Sequence, residues 1–370
     1  MKDVIICTVG TALITNLERS SSCSEPIKAA IKSRNVIATA KLMKSELTSS
    51  SRECGAEVNS ITSILEKNLI QDKHALYFMV SNTDDGSFVG EVLKLYYKAQ
   101  FNEVYVKILK GLHHENFSDF RNRGLLNLVR ETADIIKKER DQGHEPVINA
   151  TGGFKAQISF AGLIGQVLEV PVYYMFERFS EVIEMPPMPV SFDFSLWLDN
   201  YSALHEIRER GIVPSNDEIL KELHPKLYIL LYYENDETML SAMGELFYKG
   251  FLDRFLRGQG PELPPPSNLE PKEKKISFDH RPFRGLKNYL EWICEVEYVT
   301  RINVFYDNPN LPVRNRFTKS SHGDDFIKGQ YSNDEKTARF DVFITTDDPL
   351  KVQAAVVDLT NRMIARGVRI

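Results

Sequence analysis

The chain has 370 residues, 42% of them hydrophobic and 26% charged, with 46 Lys and Arg against 51 Asp and Glu for a formal charge of −5. That length exceeds what one hydrophobic core usually serves and predicts two or three domains, while the acidic balance excludes a generally basic nucleic-acid coat and leaves room only for a local basic patch. No 18 consecutive apolar residues occur, so no membrane partner is expected, and Asp3 with no cleavage site argues against a secretory signal in MKDVIICTVGTALIT. Cys7, Cys23, Cys54 and Cys294 are widely spaced without a CxxC pair, which excludes a cysteine metal site or disulfide framework and fits a reducing cytoplasm.

In chain order, residues 3–8 (DVIICT) form a β-branched run that predicts a buried strand ending at Val9-Gly10-Thr11. Helical spacing follows over residues 27–47 and 57–69. A second strand is expected over residues 74–81 (HALYFMVS), a helix over 88–99 and a third strand over 103–108. The pattern continues with a helix over 125–138, a strand over 146–149, an apolar helix over 156–168 and a strand over 170–176. Strands alternating with helices imply a mostly parallel sheet covered on both faces, a Rossmann-like α/β domain over residues 1–185.

A middle segment over residues 186–260 changes character. Helices are expected over 197–210 and 216–222, then a helix or strand, a turn at Glu234-Asn235-Asp236, a short strand and a helix from Ser241. That order resembles a winged-helix hairpin. The Pro-, Gly- and charge-rich stretch from Gly258 to Lys274 reads as a linker tending to polyproline conformation. The last segment, residues 275–370, predicts a strand in KKISFDH, a helix over 282–294, strands over 297–306 and 339–346, and a closing helix capped by Asp347-Asp348 ahead of Pro349. It is a small α+β domain.

Three of the predicted strands end in short polar turns: VGTALIT at residues 9–15, SNTDDGSF at 81–88 and NATGGFK at 149–155. In an open parallel sheet, ligands bind where strand ends meet helix starts. Glycine lets backbone approach a phosphate, N–H groups at a helix start donate to it, and Lys155 adds a point charge. Tight turning alone would account for Gly10, Gly152 and Gly153, Thr11 could simply cap a helix, and Lys155 could be a solvated first-turn residue. With no GxGxxG and no GxxxxGK[ST], neither a standard dinucleotide site nor a triphosphate P-loop is expected. Adjacent His113 and His114 point different ways on any regular element and read as loop or surface, so no metal ligands are assigned.

The segments MKDVIICTVGTALITNL, SNTDDGSFVGE and NATGGFKAQ are together similar to the CRISPR-associated Rossmann-fold (CARF) sensor domain over residues 1–185, and DETMLSAMGELF resembles the winged-helix-like segment that often follows it. The resemblance implies a homodimer binding cyclic oligoadenylate, cyclic tetra-adenylate in the first instance, as an allosteric activator rather than a cofactor. It carries onto Gly10, Thr11 and Ala12, onto Ser81, Asn82, Thr83 and Asp84, and onto Thr151, Gly152, Gly153, Phe154 and Lys155. Some relatives also cut the ring, for which Thr11 and Lys155 are the candidates.

The output is expected beyond the linker. No C-terminal arginine has a histidine at the RxxxxH spacing of a HEPN ribonuclease; Arg316 and His322 fit only a looser step, in a loop-like stretch. ARFDVFITTDD lacks the lysine that a PD-(D/E)xK metal nuclease needs. PVRNRFTKSSHG carries Arg314, Arg316, Lys319 and His322 without an acidic side chain, and Lys328, Lys336 and Arg339 follow. The element order with these basic groups resembles the RelE family of mRNA interferases. It implies a metal-independent endoribonuclease that cuts mRNA on the ribosome, with Arg314, Arg316, Lys319, His322 and Arg339 as candidate catalytic residues. A solvated basic loop is the plainer alternative. Tyr298, Tyr306 and Tyr331 could stack on bases or simply pack, and Trp292 reads as core. Competing functions are a ring nuclease, or an oligoadenylate-responsive transcriptional regulator. Glu218, Glu222 and the ENDETML run oppose DNA as a stable partner.

Overall fold

Six strands, β1 (Lys2–Thr8), β2 (Ala75–Ser81), β3 (Glu103–Leu109), β4 (Glu145–Asn149), β5 (Val172–Tyr174) and β6 (Ile183–Met185), make the N-terminal sheet. The computed structural model describes residues 2–176, 179–188, 193–279, 281–307, 314–320, 325–333 and 336–368. Strand order is β3-β2-β1-β4-β5-β6, parallel throughout except that β6 returns antiparallel beside β5. Central strands β1 and β2 are buried on both faces, which is why their sequences read as continuous apolar runs rather than alternating ones.

Between and around the strands lie α1 (Ala12–Arg19), α2 (Glu25–Lys32), α3 (Val36–Glu46), α4 (Gly55–Glu66), α5 (Asp84–Tyr97), α6 (Phe117–Asp119), α7 (Leu125–Asp141) and α8 (Lys155–Val167). The single helix expected over residues 27–47 is two. Arg34 adopts a left-handed φ of 53°, and the Asn35 side chain accepts from Ala38 N at 3.0 Å to start α3 afresh. The final antiparallel strand β6 was not foreseen, because three residues give no usable period.

By contacts the chain divides into two compact units, Met1–Ser191 with Ser241–Asp253, and Phe192–Leu240 with Arg254–Ile370. Residues of the middle segment thus go to both. The first unit takes most of helix Ala242–Leu256, whose Glu245 is fully buried and accepts from Arg130 of α7 at 3.1 Å. The second unit begins with α9 (Phe194–Arg210), β7 (Val213–Pro214), α10 (Glu218–Lys221), β8 (Leu231–Glu234) and β9 (Glu237–Leu240). Strands β8 and β9 form a hairpin closed by Asn235 and Asp236, both at positive φ (49° and 62°), the conformation a two-residue hairpin turn demands. Here the undecided helix-or-strand stretch resolves into a 3-10 turn over Pro225–Leu230 followed by strand.

Helix Ala242–Leu256 is α11, and β10 (Lys275–Phe278), α12 (Leu286–Cys294), β11 (Val299–Asp307), β12 (Arg316–Lys319), β13 (Phe326–Ser332), β14 (Thr337–Ile344) and α13 (Pro349–Ala365) complete the second unit. The sheet order is β10-β11-β14-β13-β12, with β10 parallel to β11 and every other pair antiparallel. Trp292 is core, as expected, and α13 starts on Asp348, whose side chain accepts from Leu350 N at 2.9 Å. The stretch read as loop-like around Arg316 is a strand from Arg316 to Lys319, because Phe317 fills the core while its neighbours face outward. Among the described residues no helix is long and apolar enough to cross a membrane.

Candidate functional site

Strand order in the first sheet reverses between β1 and β4, since β1 is followed by its neighbour β2 on one side and β4 leads to β5 on the other. Such a switch point leaves a crevice at the carboxyl ends of the strands. A cavity of about 880 Å³ lies there. It gathers Gly10, Thr11 and Ala12 from the first turn, Ser81 from the second, and Thr151, Gly152, Gly153, Phe154 and Lys155 from the third. Asn82, Thr83 and Asp84 are not among its lining residues. Thr83 instead caps α5, its hydroxyl accepting from Gly86 N at 3.0 Å.

A buried polar frame holds the first and third turns together. Thr8 Oγ1 donates to the Gly152 carbonyl at 2.6 Å, and Gly10 N donates to Glu57 Oε1 at 2.7 Å. A Cβ on Gly152 would lie 2.0 Å from Glu57 Oε1, and one on Gly10 would lie 2.9 Å from Gly153 N. At Gly10 the obstacle is backbone, and at Gly152 any side chain would displace the buried Glu57 carboxylate. Asn149, fully buried, donates to Ser60 Oγ at 2.8 Å and accepts from Thr151 Oγ1 at 2.7 Å. Gln157 donates to the Met79 carbonyl at 3.2 Å and accepts from Phe154 N at 3.3 Å, tying the start of α8 to the end of β2. The 13-residue α8 therefore aims its first-turn N–H groups at a rigid rim.

Lys155 and Arg52 are exposed on this rim, and neither side chain forms an ion pair with a described residue. Phe176 and Phe179, 44% and 56% exposed, meet edge to face at 5.4 Å and also line the cavity. Free cations, unspent helix N–H groups and open aromatic faces together suit a ligand with both phosphates and bases. Glu57 is the unexpected member. Burial pushes its carboxyl up from the ordinary value, against the lowering effect of the Gly10 N–H. Sequence reasoning missed Glu57, Arg52, Phe176 and Phe179. The only available signal was an acidic residue placed among the apolar positions of a helix.

In the second unit a groove of about 510 Å³ lies on the outer face of the C-terminal sheet. Register brings Arg316, Gln330 and Arg339 into one row across β12, β13 and β14, with Thr318, Lys328 and Asp341 in the next row on the same face. All six line the groove, with Phe305. Of the expected catalytic residues, Arg316 and Arg339 therefore come together. Arg314 and Lys319 are turned to α9: Arg314 Nε lies 3.3 Å from Glu206, and Lys319 pairs with Asp199. Arg316 also reaches Glu206 at 3.6 Å and Glu222 at 3.3 Å. His322 lies outside the described residues. The acid-poor stretch of sequence thus finds its counter-charges on distant helices. Tyr298 is core, and Tyr331 stacks on Tyr289 at 4.4 Å, so both pack; the Tyr306 side chain lies outside what is described. His113 sits in a loop with Nε2 2.9 Å from Asp119.

Residues 52–188 match a family described as CRISPR-associated protein (Cas_APE2256), a span that runs from the cavity rim at Arg52 past β6. Two solved structures share a loose likeness. Protein VC1899 from Vibrio cholerae aligns at 7% identity over 93% of this chain and 77% of its own, with a TM-score of 0.25. Can2 from Sulfobacillus thermosulfidooxidans, solved in complex with cyclic tetra-adenylate, aligns at 10% identity over 72% and 70%, also with a TM-score of 0.25. At these values neither likeness bears on the chemistry of this chain.

Proposed function

We propose that this chain is a CARF-type sensor joined to a ribonuclease. In this reading the first unit binds cyclic oligoadenylate, cyclic tetra-adenylate being the ring to test first, in the service of type III CRISPR defence. One observation carries it: the turns after β1 and β4, with Ser81 at the end of β2, converge on a single cavity whose rim holds Lys155 and Arg52, neither paired with a described residue. The CRISPR-associated match over residues 52–188 supports the same assignment. The first-turn N–H groups of α8 and Lys155 would take a phosphate, Gly10, Gly152 and Gly153 let backbone approach it, and Phe176 or Phe179 offers a face to adenine. A ring with repeated phosphates suits a two-fold dimer, because each copy presents the same turn.

The second unit is then a metal-independent endoribonuclease of the RelE kind, acting on mRNA at the ribosome. Arg316, Lys328 and Arg339 share one sheet face over two adjacent rows, where a cluster of cations can stabilise the charge that develops on phosphorus as a 2′-hydroxyl attacks. The deciding experiment incubates the full chain with each cyclic oligoadenylate, with and without ribosomes, and follows both RNA and activator. Cutting of mRNA only when activator and ribosomes are both present is the expected result. Activator loss without RNA cutting would make the protein a ring nuclease instead, and failure to bind any cyclic adenylate would remove the sensor assignment.

A further inference from the structure

The opposite end of the N-terminal sheet holds a second cluster that the proposed function does not use. His74 immediately precedes β2 and donates its N–H to the Asp3 carbonyl at 3.0 Å. His144 immediately precedes β4 and donates its N–H to the Glu139 carbonyl of α7 at 2.9 Å. Their imidazoles stack, with centroids 3.6 Å apart and planes at 11°. The Glu139 carboxylate lies against them, its side chain 1% exposed. We propose that His74, His144 and Glu139 bind a borderline transition-metal cation of the zinc class, which clips the starts of β2 and β4 to the end of α7.

Several independent features fit a cation better than a mere hydrogen-bond network. One ligating atom from each of the three residues lies within 4.8 Å of the others. Metal–ligand bonds of about 2.0–2.2 Å at tetrahedral angles set ligand atoms roughly 3.3–3.6 Å apart, so closure requires a movement of up to about 1.5 Å with one ring turning out of the stack. Glu139 Oε1 accepts from Tyr77 at 2.5 Å and from Lys138 at 2.9 Å, while Oε2 has no hydrogen-bond partner and lies 3.6 Å from His74 Nε2. A carboxylate oxygen buried and left over in this way has a lone pair to give. His144 Nδ1 is bonded to Asp3 Oδ2 at 2.6 Å, which leaves Nε2 as the ligand. A carboxylate behind a histidine is the usual outer partner that fixes the tautomer and raises basicity. Glu139 and Asp3 against Lys138 leave the site one negative charge when the histidines are neutral, and both histidines are partly exposed, so a cation can enter.

The test uses the full chain, stripped with chelator and then equilibrated with zinc or cobalt. Wild type should retain one Zn2+ per chain, show visible Co2+ absorption, and melt at higher temperature with zinc than without. Glu139→Gln and His74→Gln should each weaken zinc binding at least tenfold and lose the melting shift, and Asp3→Asn should weaken it by about 10–100-fold through His144. If wild type retains no zinc, or if Glu139→Gln and His74→Gln bind it as wild type does, the site is overturned. Far-UV circular dichroism checks each variant, and should Glu139→Gln fail to fold, the more exposed His74→Gln decides. The result is independent of whether the cavity at the other strand ends binds an oligoadenylate.

Discussion

Lys155 and Glu57 sit at the same cavity with opposite effects on an anion. Lys155→Ala removes a charge-assisted phosphate contact and should weaken oligoadenylate binding about tenfold, roughly 1.4 kcal/mol; calorimetric titration checks it, and unchanged affinity would move the site elsewhere. Glu57 has a pKa raised by burial above its ordinary 4.5. The folded chain therefore holds this proton more tightly than the unfolded one, a contribution complete below the ordinary value and lost as pH climbs through the raised one. Glu57→Gln keeps an acceptor for Gly10 and cannot ionise. Its stability relative to wild type should accordingly improve as pH rises from about 4.5, read as the difference in melting temperature. The same variant should bind oligoadenylate several-fold more tightly than wild type at pH above the raised value of Glu57, the gain vanishing as pH falls through it and wild-type Glu57 takes up its proton. Gly10, Gly152, Gly153 and Lys155 were legible in the sequence because glycine and lysine announce their chemistry in any order of neighbours. Glu57 was not, since its importance comes from a turn 95 residues away closing over it, as the 2.0 Å approach to a Gly152 Cβ shows.

At the scale of elements, the C-terminal sheet depends on one glycine. A Cβ on Gly329 would lie 2.0 Å from the Phe340 ring, on the neighbouring strand of a fully formed ladder. Gly329→Ala should destabilise the second unit by about 1–3 kcal/mol, since the ring has to leave its packed position; denaturant unfolding measures it. The same register that makes this close approach places Arg316, Gln330 and Arg339 in one row. Long helices and buried strands were readable from period and run length. The break at Arg34 and the strands Arg316–Lys319 and Phe326–Ser332 were not, because a single left-handed residue, a four-residue strand and a strand interrupted by Gly329 fall below what periodicity resolves. The β8–β9 hairpin was half readable: Asn235-Asp236 signalled the turn, yet the flanking apolar residues suit helix and strand alike.

For the whole molecule, the two compact units should separate under mutation. Arg316→Ala with Arg339→Ala should abolish RNA cutting and leave activator affinity within about twofold, since the residues changed share no partner with those of the N-terminal cavity. Retained cutting would place the active site off the C-terminal sheet face. Chelator should leave RNA cutting intact, because no step of the proposed chemistry runs through a metal; loss of cutting well below the melting temperature of the chelated protein would favour a metal nuclease. Arg316 has counter-charges that its own stretch of chain does not supply. Its stretch PVRNRFTKSSHG contains no acid, yet Glu206 and Glu222 lie against it in the folded chain.

The order of residues by itself determined the alternation of strand and helix, the parallel sheet and the glycine-bearing turns at its strand ends, because each rests on local backbone preference or on the period of burial. Tertiary structure alone decided which turns share a cavity, which cations keep their charge exposed and which are neutralised, and that His74, Glu139 and His144 meet at the far end of the sheet. Those outcomes depend on distances between residues far apart in the chain, and Coulomb and hydrogen-bond energies follow distance through space rather than along the sequence.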